Sequence, residues 1–469
     1  MARHVVVIGG GISGLAAAYY LRASGARVTV LEKAPSVGGI LRLSHVAGLP
    51  VDEGAESLLN RRPEAVALAR EVGLAADIVH PADVPAGVWI RGRIRPLPEG
   101  TVMGVPGDPE ALAGLLDPDE IDRVAAERER PSLHLGEDVA IGELITERMG
   151  RPVTERLVEP LLGGVYAGYA NELSLAATVP PLFAALRRER SVLDAVAAVR
   201  KAAPPAGEPV FAGIRGGVGR LAKAVAAASG ARIRTSVTVR GLTERPAGPG
   251  PRWRIETGPV PTPEFIDADA VVVAVPANTA ARLLAGPMPD AAAELSGIEQ
   301  ASVAIVTVAL PRAAFPEPPE SSGFLVPPSE DRTVKAVTFS SVKWPWLGEL
   351  AEELIVLRAS VGRHRQIADV QRPDGELIDA VLADLKPILG VRGEPVDARV
   401  TRWGGALPQY AVGHLDRVTK IRAAVARRAG LAVCGAAYDG IGVAACIASA
   451  REAATGLRNG LSGVPPSSA

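Results

Sequence analysis

Cysteine is nearly missing from this chain: Cys434 and Cys446 are the only two in 469 residues. Two are too few for a disulfide framework and fit a reducing cytoplasm, where their plain reading is as small buried apolar residues. Net charge is equally scant. Lys+Arg 51 against Asp+Glu 52 leaves -1, so nothing global favours a nucleic-acid partner, although a local basic patch stays open. No apolar run comes near the roughly 18 to 20 residues of a membrane span, because Pro276 and Asn278 cut the most apolar stretch, 270–277. Residues 5–8 are apolar but stop at Gly9, too short a run for the hydrophobic region of a signal peptide. These absences predict a soluble, cytoplasmic protein. The six histidines are scattered and no HExxH, CxxC or EF-hand spacing occurs, so no metal site is expected. A G-x-S-x-G nucleophile elbow is missing too.

What is present is a globular composition, 48% hydrophobic and 22% charged, in a chain long enough for two or three domains at roughly 150 residues each. At the start, His4 to Ile8 reads as a strand, Gly9-Gly10-Gly11-Ile12-Ser13-Gly14 as a turn, Leu15 to Ala23 as a helix, and Arg27 to Leu31 as a second strand. A G-x-G-x-x-G match inside such a βαβ unit is a dinucleotide-binding signal. Gly9 permits the tight turn, Gly11 lets backbone approach a pyrophosphate, and Gly14 lets helix and sheet pack closely. The helix N-terminus, with Ile12 and Ser13, then offers free amides and a positive dipole end to the anion. Glu32, at the end of the second strand, suits the ribose hydroxyls and would repel a 2′-phosphate. The bland alternative is a glycine turn followed by a solvated glutamate.

Three later segments extend the pattern. Gly38-Gly39 permits close backbone approach, and Arg42 offers a planar donor fork for a phosphate or propionate, the alternative being a surface arginine. Asp52-Glu53-Gly54-Ala55-Glu56-Ser57 follows. More than 400 residues on, Leu431 to Gly435 reads as a strand, and Tyr438-Asp439-Gly440-Ile441-Gly442-Val443 leads into an apolar helix, 444–457. A second helix N-terminus would thus face the same ligand. An ordinary αβ turn is the competing reading.

These two ends resemble the flavin-dependent amine oxidase superfamily, and 268–277 resembles its late strand followed by proline. Within it the chain is most similar to the protoporphyrinogen and coproporphyrinogen oxidases, the bacterial coproporphyrinogen III oxidases above all. That likeness is carried by Gly163-Gly164-Val165-Tyr166-Ala167-Gly168 with Leu173-Ser174, by Ala406-Leu407-Pro408-Gln409-Tyr410 with Gly413-His414, and by Gly440-Ile441-Gly442-Val443 with Cys446-Ile447. Each fragment alone is weak; in this order and length they are specific. One departure is that Pro85-Ala86-Gly87-Val88-Trp89 lacks the basic residue that family members often carry there, which leaves the propionate partner unassigned.

The resemblance implies an α/β fold: a Rossmann-type FAD-binding domain gathered from 1–80, 211–278 and 428–461, an α+β substrate domain from 81–104 and 279–427, a helical insert at 105–210 and a disordered tail at 462–469. It implies noncovalent FAD held by Gly9, Gly11, Ile12, Ser13, Gly14, Glu32, Lys33, Gly38, Gly39, Arg42, Gly54, Ala55, Glu56, Ser57, Val237, Trp403, Gly435, Ile441, Gly442 and Val443. It implies a tetrapyrrole substrate, with Gly163, Gly164, Gly168, Tyr166, Tyr410 and His414 as candidate contacts; the substrate's carboxylates need cations, for which Arg61, Arg62, Arg91, Arg93 and Arg95 are equal candidates. Core packing for the tyrosines, a structural role for His414, a plain turn for the glycines and simple exposure for Arg61 remain open.

The implied reaction is six-electron oxidation of a porphyrinogen in haem biosynthesis, with flavin N5 as hydride acceptor, O2 as terminal acceptor, H2O2 released and no catalytic side chain needed. Coproporphyrinogen III is preferred over protoporphyrinogen IX. A flavin amine oxidase or carotenoid-type desaturase, and a tetrapyrrole-binding flavoprotein without turnover, are the alternatives; 4% aromatic content disfavours the amine oxidase. Contact with other haem-synthesis enzymes is a further implication, and the oligomeric state stays open. The mixed-charge runs 127–130 and 187–190 read as solvated faces. The six prolines within 311–328 predict a stiff loop, and 246–263 a Pro/Gly-rich excursion.

Overall fold

The computed structural model describes residues 2–133, 135–203, 209–246, 248 and 250–461; the expected tail, 462–469, lies outside them. A five-stranded parallel sheet holds, in order, Arg232–Arg234, Arg27–Leu31, His4–Ile8, Ala270–Val273 and Leu431–Val433. Strands from the first, middle and last parts of the chain are therefore hydrogen-bonded neighbours. Side-chain alternation explains why this sheet is buried on both faces. Val5, Val7 and Val272 point into one core with the helices Ile12–Leu21, Gly219–Ala228 and Val443–Leu461. Val6, Ile8 and Val273 point into the other, shared with the antiparallel strands Gly241–Glu244, Trp253–Thr257 and Glu264–Ala268 and the helices Ala277–Leu284, Pro289–Ser296 and His414–Ala426. Val5, Val6 and Val7 are all fully buried, and each such side chain contributes about 1.5–3 kcal/mol.

A second, seven-stranded mixed sheet runs Asp397–Pro408, Gln300–Pro311, Leu354–Val361, Val334–Phe339, Gly323–Leu325, Ala86–Ile90 and Arg93–Pro96. The helix Asp374–Leu389 contributes Leu377, Val381 and Leu385 to the core on one of its faces. Between 105 and 203 lies a mostly helical stretch, including Pro118–Ala125, Ile141–Met149, Glu159–Tyr166 and Val192–Ala202, with its own core. The first of these starts on a reciprocal Asp117/Glu120 capping box.

Three expectations need correcting. The Pro-rich stretch 311–328 is not all loop, since Gly323–Leu325 pairs between Val334–Phe339 and Ala86–Ile90. Likewise 246–263 contains the strand Trp253–Thr257, whose Trp253 is fully buried; prolines on either side hide these short alternating runs. Nor is 127–130 a solvated face throughout. Glu127 is fully buried, paired with Arg148 at 2.6 Å and accepting the Val192 and Leu193 amides.

Candidate active site

The first glycine turn is stitched to the second by backbone. Gly38 N–H donates to Gly10 O at 2.8 Å, and Gly11 and Gly38 form a parallel bridge. Gly9 takes φ +109, and a Cβ there would sit 2.3 Å from Ala274 O. A Cβ on Gly14 would fall 1.9 Å from Gly9 O. Gly9 and Gly14 are thus required by the protein's own packing. Gly11 is different, because a Cβ there meets nothing within 4 Å. It faces open space at the N-cap of helix Ile12–Leu21, a cradle shaped for backbone approach to a pyrophosphate. Glu32 stands beside it, accepting the Gly10 amide at 2.6 Å and the Ala34 amide at 2.7 Å. Val237 N–H donates to Glu32 O at 2.9 Å, which brings Val237 to the same end, while Lys33 is exposed.

The other end of the chain reaches the same cradle. Cys434 Sγ lies 4.0 Å from Ser13 O, and a Cβ on Gly435 would lie 3.7 Å from Ser13 Oγ. Helix Val443–Leu461 starts just after Gly442, where a Cβ again meets nothing within 4 Å. Two helix N-termini and three uncrowded glycines therefore bound one space, which fits a long anionic dinucleotide.

Arg42 is held by protein partners. Its Nε is held by Glu53 Oε2 and its guanidinium lies 4.9 Å from the Trp403 ring centroid. Trp403 Nε1 donates to Glu53 O at 2.8 Å, and Arg399 pairs with the same carboxylate at 3.0 Å. Glu53 is thus the buried anchor that orients Arg42, leaving the outer guanidinium nitrogens without a protein partner among the described residues. Sequence reasoning quoted Glu53 only as part of a motif; its role depends on strand Asp397–Pro408, some 350 residues away. Its neighbour Asp52 accepts the Val218 and Gly219 amides at 2.9 and 2.8 Å, fixing the start of helix Gly219–Ala228. Burial raises the Asp52 carboxyl to about 6.

The family profile described as flavin containing amine oxidoreductase matches residues 12–457. The chain belongs to that family. Coproporphyrinogen III oxidase of Mycobacterium tuberculosis (strain H37Rv) is 39% identical over 97% of each chain, and that of Bacillus subtilis 31% identical over 96% of this chain and 97% of its own. Protoporphyrinogen oxidase of Bos taurus is 27% identical, covering 97% of this chain and 98% of its own. A crystal structure from Exiguobacterium, provisionally named a protoporphyrinogen oxidase, superposes with a TM-score of 0.85 at 30% identity, over 98% and 99% of the two chains. As a member of the flavin-containing amine oxidoreductases the protein has FAD as its cofactor, and the open glycine cradle fits it.

Within this family fold, several of the expected contacts also have protein partners. The Glu56 side chain is one of them. Its carboxylate is taken up by Lys343 at 2.9 Å, Arg358 at 2.8 Å and Ser340 at 2.9 Å, and Lys343 also donates to Ser57 Oγ. Burial alone would raise the Glu56 pKa, but the two cations hold it well below the usual carboxylate range. Gly54 and Ala55 stay beside the cradle, since a Cβ on Gly54 would meet Ile40 O at 2.1 Å and Ala55 packs on the same core as Val443.

Tyr410 and His414 are buried and act as braces. Tyr410 is 1% exposed; its hydroxyl donates to Ala436 O at 2.6 Å and accepts the Gly440 amide at 2.8 Å, tying down both sides of the 435–442 loop. His414 is 2% exposed, stacked on Tyr410 with centroids 3.8 Å apart, and burial lowers it to about 4. A neutral, enclosed imidazole has no charge to offer a propionate. Tyr166 is also buried, 5.5 Å from Tyr410.

Gly163 and Gly164 are not a turn between helices but the last turn of helix Glu159–Tyr166, which ends on Ala167 at φ +52. Gly168 is buried against Gln409, whose Oε1 lies 2.2 Å from where its Cβ would be. Gly164 and Val165 are exposed. Arg61 is exposed without an ion pair among the described residues, and its neighbour Arg62 is the one that approaches Gly440.

Proposed function

We propose that this chain oxidises coproporphyrinogen III to coproporphyrin III in haem biosynthesis, with FAD held noncovalently, O2 as the terminal acceptor and H2O2 as the by-product. The observation that supports it most is the convergence of both chain ends on one dinucleotide cradle, in a protein whose length is matched throughout by proteins named coproporphyrinogen III oxidase. Bound FAD supplies a two-electron acceptor that, reoxidised between rounds, serves the three successive oxidations a porphyrinogen needs.

The chain's own part is positioning. Amides at the two helix N-termini would hold the diphosphate of bound FAD, with positive dipole ends facing it. Arg42, fixed by Glu53 and Trp403, would offer a cationic fork to the cofactor. Tyr410 locks the loop that carries Gly440 and Gly442. None of these is a strong base, which suits a substrate whose electron-rich pyrroles stabilise the developing cation themselves, so geometry is the main contribution. Cys434 and Cys446 are buried, with thiols pushed up by burial, so neither is a ready site for a covalent flavin link. Among the described residues no helix is long and apolar enough to cross a membrane, which supports action in the cytoplasm.

The direct test is to supply the purified protein in air with coproporphyrinogen III and, separately, protoporphyrinogen IX, following porphyrin fluorescence and peroxide. Faster porphyrin formation from the first substrate is expected. Faster formation from the second would move the assignment to protoporphyrinogen oxidation. Binding without peroxide would make the protein a carrier.

A further inference from the structure

Where the substrate's carboxylates go is a question that rests on the porphyrinogen reading above. A cation removed from water is costly unless an anion meets it. Two other buried cations obey: Arg148 meets Glu127, and Arg358 meets Glu56. Lys335 and Arg363 do not. Lys335 is 4% exposed, and its Nζ donates to the carbonyl of Gly163 at 3.4 Å. Arg363 is 7% exposed, and its Nη2 donates to Val326 O at 3.0 Å. Neither has an ion pair among the described residues, and they stand close enough to repel one another.

The local charge is short of an anion. Burial lowers the Lys335 ammonium to about 7, with Arg363 adding to the effect, and burial lowers Arg363 as well. Two acids act on Arg363 without pairing with it: Asp369, which is taken by Arg372 at 2.6 Å, and the buried Glu159, whose carboxyl burial raises to about 7. One of its oxygens accepts the Ala170 amide at 2.7 Å and the other has no hydrogen-bond partner. Lys335, Arg363 and the Glu159 carboxyl thus share a seam between helix Glu159–Tyr166 and the seven-stranded sheet, and neither basic group is ion-paired there among the described residues.

The seam lies under an exposed edge of the helix. Gly164 and Val165, next to the carbonyl that Lys335 touches, are exposed, and a Cβ on Gly164 would meet only Leu325 Cδ2, at 3.5 Å. Just beyond them Ala167 packs in one cluster with Trp403, the residue that carries Arg42 at the cofactor's side. We propose that Lys335 and Arg363 form the seat for one carboxylate arm of the porphyrinogen, entering past Gly163 and Gly164. The arm would take the Lys335 ammonium from its long carbonyl contact and a free guanidinium edge of Arg363, supplying the missing negative charge.

The test is Lys335→Met, with Lys335→Arg as the conservative control and Lys335→Gln in reserve should Met prevent folding. Replacing an unpaired buried charge by an apolar chain of similar length should leave Tm equal or higher. KM for coproporphyrinogen III, and the Kd for coproporphyrin III read by flavin or porphyrin fluorescence quenching, should rise about tenfold or more in Lys335→Met and Lys335→Gln. The main loss should fall in KM rather than kcat, and Lys335→Arg should restore most of it. The tetramethyl ester of coproporphyrin should bind wild type and Lys335→Met alike. Overturning results are a Kd within twofold of wild type in Lys335→Met, or an equal loss for the acid and the ester. A wild type that fails to oxidise coproporphyrinogen III would instead sink the functional reading, whereas normal turnover with an unaffected Lys335→Met sinks the seat alone.

Discussion

Substituting valine at Gly11 and, separately, at Gly14 separates the cofactor's space from the protein's. At Gly11 the backbone is extended, φ -72 and ψ 176, and an added Cβ meets nothing within 4 Å. The apoprotein should therefore tolerate Gly11→Val to within about 1 kcal/mol, a small entropic gain set against a weaker helix cap. At Gly14 the same atom lands 1.9 Å from Gly9 O, and relieving it means moving backbone, at a cost of about 1–3 kcal/mol or more. FAD at 100 times its Kd adds about 2.7 kcal/mol to wild-type stability. Gly11→Val should lose that increment and its yellow colour while melting like wild-type apoprotein. Gly14→Val should melt early even without FAD. Calorimetry of both variants with and without FAD reads all four values. A Gly11→Val protein that purifies with stoichiometric FAD would refute the placement of the cradle.

Tyr410→Phe removes a hydroxyl that serves Ala436 O and Gly440 N–H; it should lower stability by about 1–3 kcal/mol and speed FAD loss on dilution, while flavin still bound is reduced by substrate at a near-normal rate. His414 titrates near 6.5 when unfolded but only near 4 when folded, so its contribution is complete above pH 6.5 and declines by about 1.4 kcal/mol per unit as pH falls towards 4. Chemical denaturation at pH 7.5 and 5 should show His414→Phe, which keeps the stack on Tyr410, losing less stability over that interval than wild type; an identical loss would contradict the assignment. Glu127→Ala strands Arg148 in the helical core and should cost about 3–5 kcal/mol, visible as a lower urea midpoint, whereas an unchanged midpoint would show the pair to be dispensable.

The dinucleotide-binding unit was legible because its signals are local. A short β-branched run, a glycine turn and a helix lie within one short stretch, and the glycines that the motif demands are the ones the packing demands at Gly9 and Gly14. The convergence of the two ends was expected from a second glycine turn leading into a helix, but nothing in residues 435–443 names Ser13 as their neighbour. What could not be read was every role set by long-range burial. Glu56 looked like a cofactor residue from its motif, yet Lys343 and Arg358 claim it from nearly 300 residues away. Tyr410 and His414 carried the resemblance, but their burial and their stacking on one another could not be read from it. Lys335 and Arg363 left no trace in the sequence, because an isolated lysine or arginine is ordinarily exposed. Only the fold brings Lys335 to the Gly163 carbonyl and Arg363 to that of Val326.

Anaerobic mixing of the holoprotein with a limiting amount of coproporphyrinogen III tests the central claim most directly. Oxidised flavin absorbance should fall as porphyrin fluorescence appears, with about three flavins reduced for each porphyrin formed, as a six-electron oxidation through a two-electron acceptor requires. Porphyrin appearing while the flavin stays oxidised, or a flavin that the porphyrinogen never reduces, would contradict it.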